Sequence, residues 1–186
     1  MESHSIAVIG LGASMYGDQG LGLQVVQLLK KQKLPKRVEL IEGGMSGLNL
    51  IPWMDDRKKV IFISAIATGT TPGTMHRFLP ADLESLVKSK PEPVLHLGRS
   101  GECEDSQARE DQIPVDDERS LLSAIQIAEY LGIKPEVIII GVEPESIKPD
   151  LKLTETLAKK IPAIITQVKE EIRKKTIVFL RNNCII

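Results

Sequence analysis

Four short apolar runs, Ile6 to Leu11, Val38 to Ile41, Val60 to Ile63 and Val137 to Ile140, constrain this chain more than any other feature. Each is rich in β-branched residues and lacks the alternation of apolar and polar positions that a half-exposed strand needs, so each reads as a strand covered on both faces. Segments of helical period lie between and after them. Leu21, Val25, Leu28 and Leu29 mark a helix after the first run, and Leu48 to Met54 suits a short one. Leu121, Leu122, Ile125, Ala128 and Leu131 mark another helix, which Gly132 stops. A last helix from about Thr154 to Lys174 carries Leu157, Ile161, Ile164, Ile165, Val168 and Ile172 on one stripe, with Pro162 expected to bend or restart it. This order predicts an α/β fold: a single-domain, three-layer, twisted and mainly parallel sheet with helices on both faces. Residues 1–175 form the domain, and residues 176–186 are a tail in which Thr176 to Leu180 can add an edge strand.

A length of 186 residues with 42% hydrophobic content fits one core. Lys plus Arg is 24 against 25 for Asp plus Glu, and aromatics are 3%, so neither a phosphate-neutralising field nor base-stacking platforms are available. Nucleic acid is excluded as a partner. No segment approaches the roughly 20 apolar residues of a membrane span, and Met1 to Ser5 has no leader pattern, so a cytoplasmic protein is expected. Cys103 and Cys184 are too far apart in sequence and context to suggest a disulfide framework or a zinc pair. Cys103 lies between Glu102 and Glu104, which disfavours its thiolate. From Glu102 to Glu118, within a longer segment near 88–118, eight acidic residues face one basic one, a net −7 that reads as a solvated loop.

Glycine clusters follow the strands. Gly10-Leu11-Gly12 invites a dinucleotide reading, with Glu42 in the place of a ribose ligand, but Met15 stands where the third glycine belongs. A nucleotide-binding protein is therefore a distant alternative. In Gly17-Asp18-Gln19-Gly20, Asp18 either accepts backbone N–H bonds at the start of the helix or faces a ligand. Glu42-Gly43-Gly44-Met45-Ser46-Gly47 and Ser64-Ala65-Ile66-Ala67-Thr68-Gly69 end the second and third strands. Ligands of open α/β sheets bind beyond those strand ends, so Asp18, Gln19, Gly43, Gly44, Ser46, Ser64 and Thr68 are the expected lining of one cleft, suited to a partner chain. His76 fits a structural imidazole better than a ligand.

Taken in order, Val8-Ile9-Gly10-Leu11-Gly12, Gly17-Asp18-Gln19-Gly20, Val38-Glu39-Leu40-Ile41-Glu42-Gly43-Gly44, Pro72-Gly73-Thr74 and Gly141-Val142-Glu143-Pro144-Glu145-Ser146 resemble the nickel-iron hydrogenase maturation endopeptidases. The resemblance implies removal of a carboxyl-terminal peptide from the hydrogenase large subunit once nickel is in place. It also implies a nickel-sensing set of two carboxylates and a histidine, a donor set suited to a divalent transition metal. Those family positions fall at Gln19, Ser64 and about Pro114, with His96 a rival for the histidine and Asp18 a rival for the first carboxylate. Two neutral side chains in place of two charges remove most of the attraction for a divalent ion. The expectation is a divergent member with no metal and no other cofactor: a non-proteolytic relative that binds a partner chain, possibly a hydrogenase large subunit or another metalloenzyme subunit, and assists its assembly. The alternative is an active nickel-dependent endopeptidase with a displaced ligand set.

Overall fold

The computed structural model describes residues 5–45, 47–91 and 117–174. The expected runs form β1 (Ile6–Leu11), β2 (Val38–Gly44), β3 (Lys59–Ala65) and β5 (Glu136–Val142), and a short β4 (Met75–Phe78) joins them. The sheet order is β2-β1-β3-β5-β4. All neighbours are parallel except β4, which runs antiparallel to β5 along one edge.

Strand side chains project alternately to the two faces, so one apolar run feeds two cores. Ala7, Ile9, Val60, Phe62, Val137 and Ile139 pack under α2 (Ile51–Met54), α3 (Pro80–Ser89) and α4 (Asp117–Tyr130). Ile6, Val8, Ile61, Ile63, Ile138 and Ile140 pack under α1 (Leu21–Lys30) and α5 (Glu155–Arg173). This is the expected three-layer arrangement. In α5 the anticipated stripe is buried at Leu157, Ile164, Val168 and Ile172. One helix runs through Pro162, so the expected restart does not occur; the tertiary burial of the stripe outweighs one missing N–H donor.

At the base of the sheet the fully buried Lys59 donates from Nζ to the carbonyls of Glu171 (3.1 Å) and Lys174 (2.9 Å). A cation on the last carbonyls of α5 satisfies acceptors that the helix leaves open and suits the negative end of its dipole. Residues 175–186, including the expected edge strand, lie outside the described residues.

Candidate functional site

The order β2-β1-β3 means that β1 and β3 send their following segments to different places, which makes the carboxyl end of these two strands the topological switch point. A one-turn 3-10 helix, Gly17–Gly20, follows β1 there and packs on the end of β3. Two glycines make this possible. A Cβ on Gly22, at the start of α1, would collide with the carbonyls of Leu11 and Ile63, and a Cβ on Gly12 (φ +121°) would collide with that of Gln19. The glycines after β1 thus bring chain against chain; the surface a phosphate would need is occupied.

Asp18 is fully buried, and both of its oxygens are taken. Oδ2 accepts from the backbone N–H of Glu145 (2.8 Å) and Ser146 (3.0 Å) and from the Thr154 hydroxyl (3.0 Å), while Oδ1 accepts from the Thr154 N–H (2.8 Å). Its partners belong to the loop between β5 and α5, so neither expectation for Asp18 holds: it neither caps the first helix nor lines a cleft. Fully buried and holding four donors, it is poorly placed as a metal ligand.

Gln19 and Ser64, at the two ends of the switch point, are buried at 9% and 2% exposure. Ser64 donates to the Ala65 carbonyl at 3.2 Å. Gln19 Oε1 is buried with no hydrogen-bond partner among the described residues. Gly43 packs against the Ile9 and Leu11 side chains and is a packing glycine rather than an open wall, whereas Gly44 (φ +62°) has open space around it and accepts from the Gly12 N–H at 2.7 Å. Ser46, His96 and Pro114 lie outside the described residues.

Thr68 also turns inward. Its N–H (2.7 Å) and hydroxyl (2.6 Å) both donate to Oε2 of Glu143, a buried carboxylate at the carboxyl end of β5, and the N–H and hydroxyl of Thr70 approach the same oxygen at 3.3 Å. Burial alone pushes the Glu143 carboxyl up, but the donors from Thr68, Thr70 and Gly69 outweigh it and hold it below the ordinary carboxylate range. His76 completes the cluster, with Nε2 3.0 Å from the Thr70 hydroxyl and 3.3 Å from that of Thr68. A second buried carboxylate, Glu118 of α4, accepts from the Ala67 N–H (3.2 Å) and pairs with Lys90 (3.0 Å). Glu143 and Glu118 together shape the segment after Ser64, a role that the sequence reading missed.

The donor set of the described residues therefore fits a divalent metal poorly. Gln19 and Ser64 are neutral, Asp18 is consumed, and among the described residues no three His, Cys, Asp or Glu side chains group as ligands.

The family model described as HycI, hydrogenase maturation protease, matches residues 23–91. A putative hydrogenase maturation protease of Methanocaldococcus jannaschii is 28% identical over 179 residues, which cover 94% of this chain and 100% of that protein. The hydrogenase 2 maturation protease of Escherichia coli is 28% identical over 172 residues, 91% of each chain. Among solved structures, the hydrogenase maturating endopeptidase HybD from E. coli superposes with a TM-score of 0.72 at 26% identity, covering 90% of this chain and 91% of that one.

Proposed function

We propose that this chain, which belongs to the hydrogenase maturation protease family, uses the end of β1 and β3 to bind a partner chain and assist its assembly without cutting it. The partner this reading favours is a metalloenzyme subunit, in the first place a hydrogenase large subunit. The carrying observation is the pair Gln19 and Ser64, neutral hydrogen-bonding groups buried where the family resemblance calls for carboxylates. An amide and a hydroxyl offer donors and acceptors suited to a peptide backbone, and they lack the charge that a divalent ion needs. On this reading the chain has no resident metal, and nickel has no role in its action.

The alternative, an active endopeptidase, keeps the support of the relatives' names, all of which are those of maturation proteases or hydrogenase formation proteins. Co-expression with the large subunit of a nickel-iron hydrogenase, with and without nickel, separates the two. The expected result is a complex on size-exclusion chromatography in which mass spectrometry finds the large subunit's carboxyl terminus intact. Nickel-dependent loss of that terminus would establish the endopeptidase instead.

A further inference from the structure

The end of the sheet at which the parallel strands begin is strongly basic. Across residues 31–39, 55–59, 134–136 and 169–174, eleven Lys and Arg stand against six Asp and Glu, a net +5 in a chain whose whole charge is −1. Backbone bonds bring these segments together. Ile6 donates to the Arg37 carbonyl (3.1 Å), Lys58 to that of Ser5 (2.9 Å) and Glu136 to that of Lys58 (2.9 Å), which sets the starts of β2, β1, β3 and β5 side by side. The Arg37 guanidinium reaches the Ile172 carbonyl at 3.5 Å, and Lys59 holds the carbonyls of Glu171 and Lys174, so the last turn of α5 adjoins the same face.

Half of the acids here are already paired within the face. Glu39 pairs with Arg57, Glu136 with the buried Lys59 and Glu171 with Lys174. Lys31, Lys33, Lys36, Lys58 and Arg173 are exposed and have no acidic partner among the described residues. Cations suit the negative ends of α1 and α5, which accounts for Lys31 and Arg173. Lys33, Lys36 and Lys58 lie outside the helices and add like charge to like. An anionic partner relieves that repulsion and is steered by the field. At the far end of the sheet no such field stands exposed, since Lys148 and Lys152 face Glu145 and Asp150 in number. The chemistry of the face also selects among anions. None of its four segments contains an aromatic residue, so bases find nothing to stack on. The apolar residues beside the free lysines, Leu34 and Val38, pack against the core, so no wedge is left to enter a bilayer.

We infer that this basic face, through Lys33, Lys36 and Lys58, docks an acidic segment of a protein partner. The face lies at the other end of the strands from Gln19 and Ser64, so the inference does not rest on the reading of that site. Two fluorescent twelve-residue peptides test it, alike except for six Glu in one and six Gln in the other. By anisotropy with the full chain, the Glu peptide is expected to bind at least about tenfold more tightly in low salt, the gap closing as salt screens it. Lys33→Glu with Lys36→Glu is expected to weaken the Glu peptide by at least about tenfold. Lys148→Glu with Lys152→Glu changes the net charge by the same amount at the far end of the sheet and is expected to leave binding within about twofold.

The same chain is expected to stay in the supernatant when vesicles of phosphatidylcholine and phosphatidylserine are sedimented at physiological salt. Equal binding of the two peptides would overturn the inference. Equal loss in both double variants would do the same, because it would trace the effect to total charge rather than to this face. Co-sedimentation with the vesicles that Lys33→Glu with Lys36→Glu abolishes would give the face to a lipid surface instead. A large subunit cut or left intact in co-expression changes none of these readings.

Discussion

Placing carboxylates at the switch point is the sharpest test of the proposed non-proteolytic reading. Gln19→Glu and Ser64→Asp each place a charge at a position that is 9% and 2% exposed, so each single variant loses stability through desolvation. Together they repel. Two carboxylates about 6 Å apart at an effective dielectric of about 20 interact by about 3 kcal/mol, enough to push one of them well above the ordinary range. A carboxyl whose folded pKa is raised lowers stability at pH values above that pKa, and the loss disappears below the unfolded value. The double variant should therefore be less stable than the sum of the singles at pH 7 and should recover toward pH 4. Nickel reverses the sign, because an ion bound only by the folded state at about 100 times its dissociation constant contributes about 2.7 kcal/mol. For a chain of this size that is a rise of about 5–10 °C in melting temperature. Differential scanning calorimetry with and without nickel reads both effects, with the wild type expected to be unmoved. Additive singles and no nickel response would mean that positions 19 and 64 do not share a site, and the reading of a lost metal centre would fail with them.

Two further perturbations address the buried carboxylates of the rim. Asp18→Ala strands three backbone N–H groups and one hydroxyl that it now satisfies and should cost at least about 3 kcal/mol by urea denaturation, whereas a loss under about 1 kcal/mol would contradict its role as a staple. Glu143 has a folded pKa below its ordinary value, so its contribution is present above the unfolded value of about 4.3 and is lost as pH falls through the folded one. Glu143→Gln should flatten the decline in stability between about pH 5 and pH 3, and an unchanged slope would show that the Thr68 and Thr70 donors do not hold it down.

The parts of the fold legible in the sequence are those whose signal is local. Four β-branched runs announced four of the five strands, although β2, expected to be central and covered on both faces, lies at the sheet edge and is only partly buried; the α5 stripe announced its buried face, because burial on one side of a helix is written into neighbouring residues. The helix α3 was not anticipated. Its apolar residues are few, and its start depends on Pro80 in the first turn and on Asp82 accepting from the Leu79 N–H at 2.8 Å, signals too short to stand alone. The site divides the same way. Glycine-rich segments marked the carboxyl ends of the strands, but Asp18 finds its partners 127 to 136 residues away, and Glu143 meets Thr68 at a separation of 75. No periodicity encodes such pairs, so Asp18 and Thr68 looked like open cleft residues although their polar atoms face inward. A carboxylate directly after a buried strand, as at Glu143, was the available hint.

On the proposed non-proteolytic reading, these long-range contacts are what would hold the fold while the side chains at positions 19 and 64 vary. Asp18, Glu143 and Glu118 bond backbone donors of the loops at the rim, while Gly12 and Gly22 let chain segments touch, and none of these contacts passes through the side chains of Gln19 or Ser64. Ser64 bonds only its neighbour's carbonyl, and Gln19 Oε1 bonds nothing among the described residues. The hydrogen bonds that staple the rim thus do not depend on the side chains at these two positions. Exchanging paired carboxylates for neutral groups there removes a repulsion that, without a bound ion, works against folding. On that reading the loops stay stapled and the rim keeps its shape with neutral groups at Gln19 and Ser64.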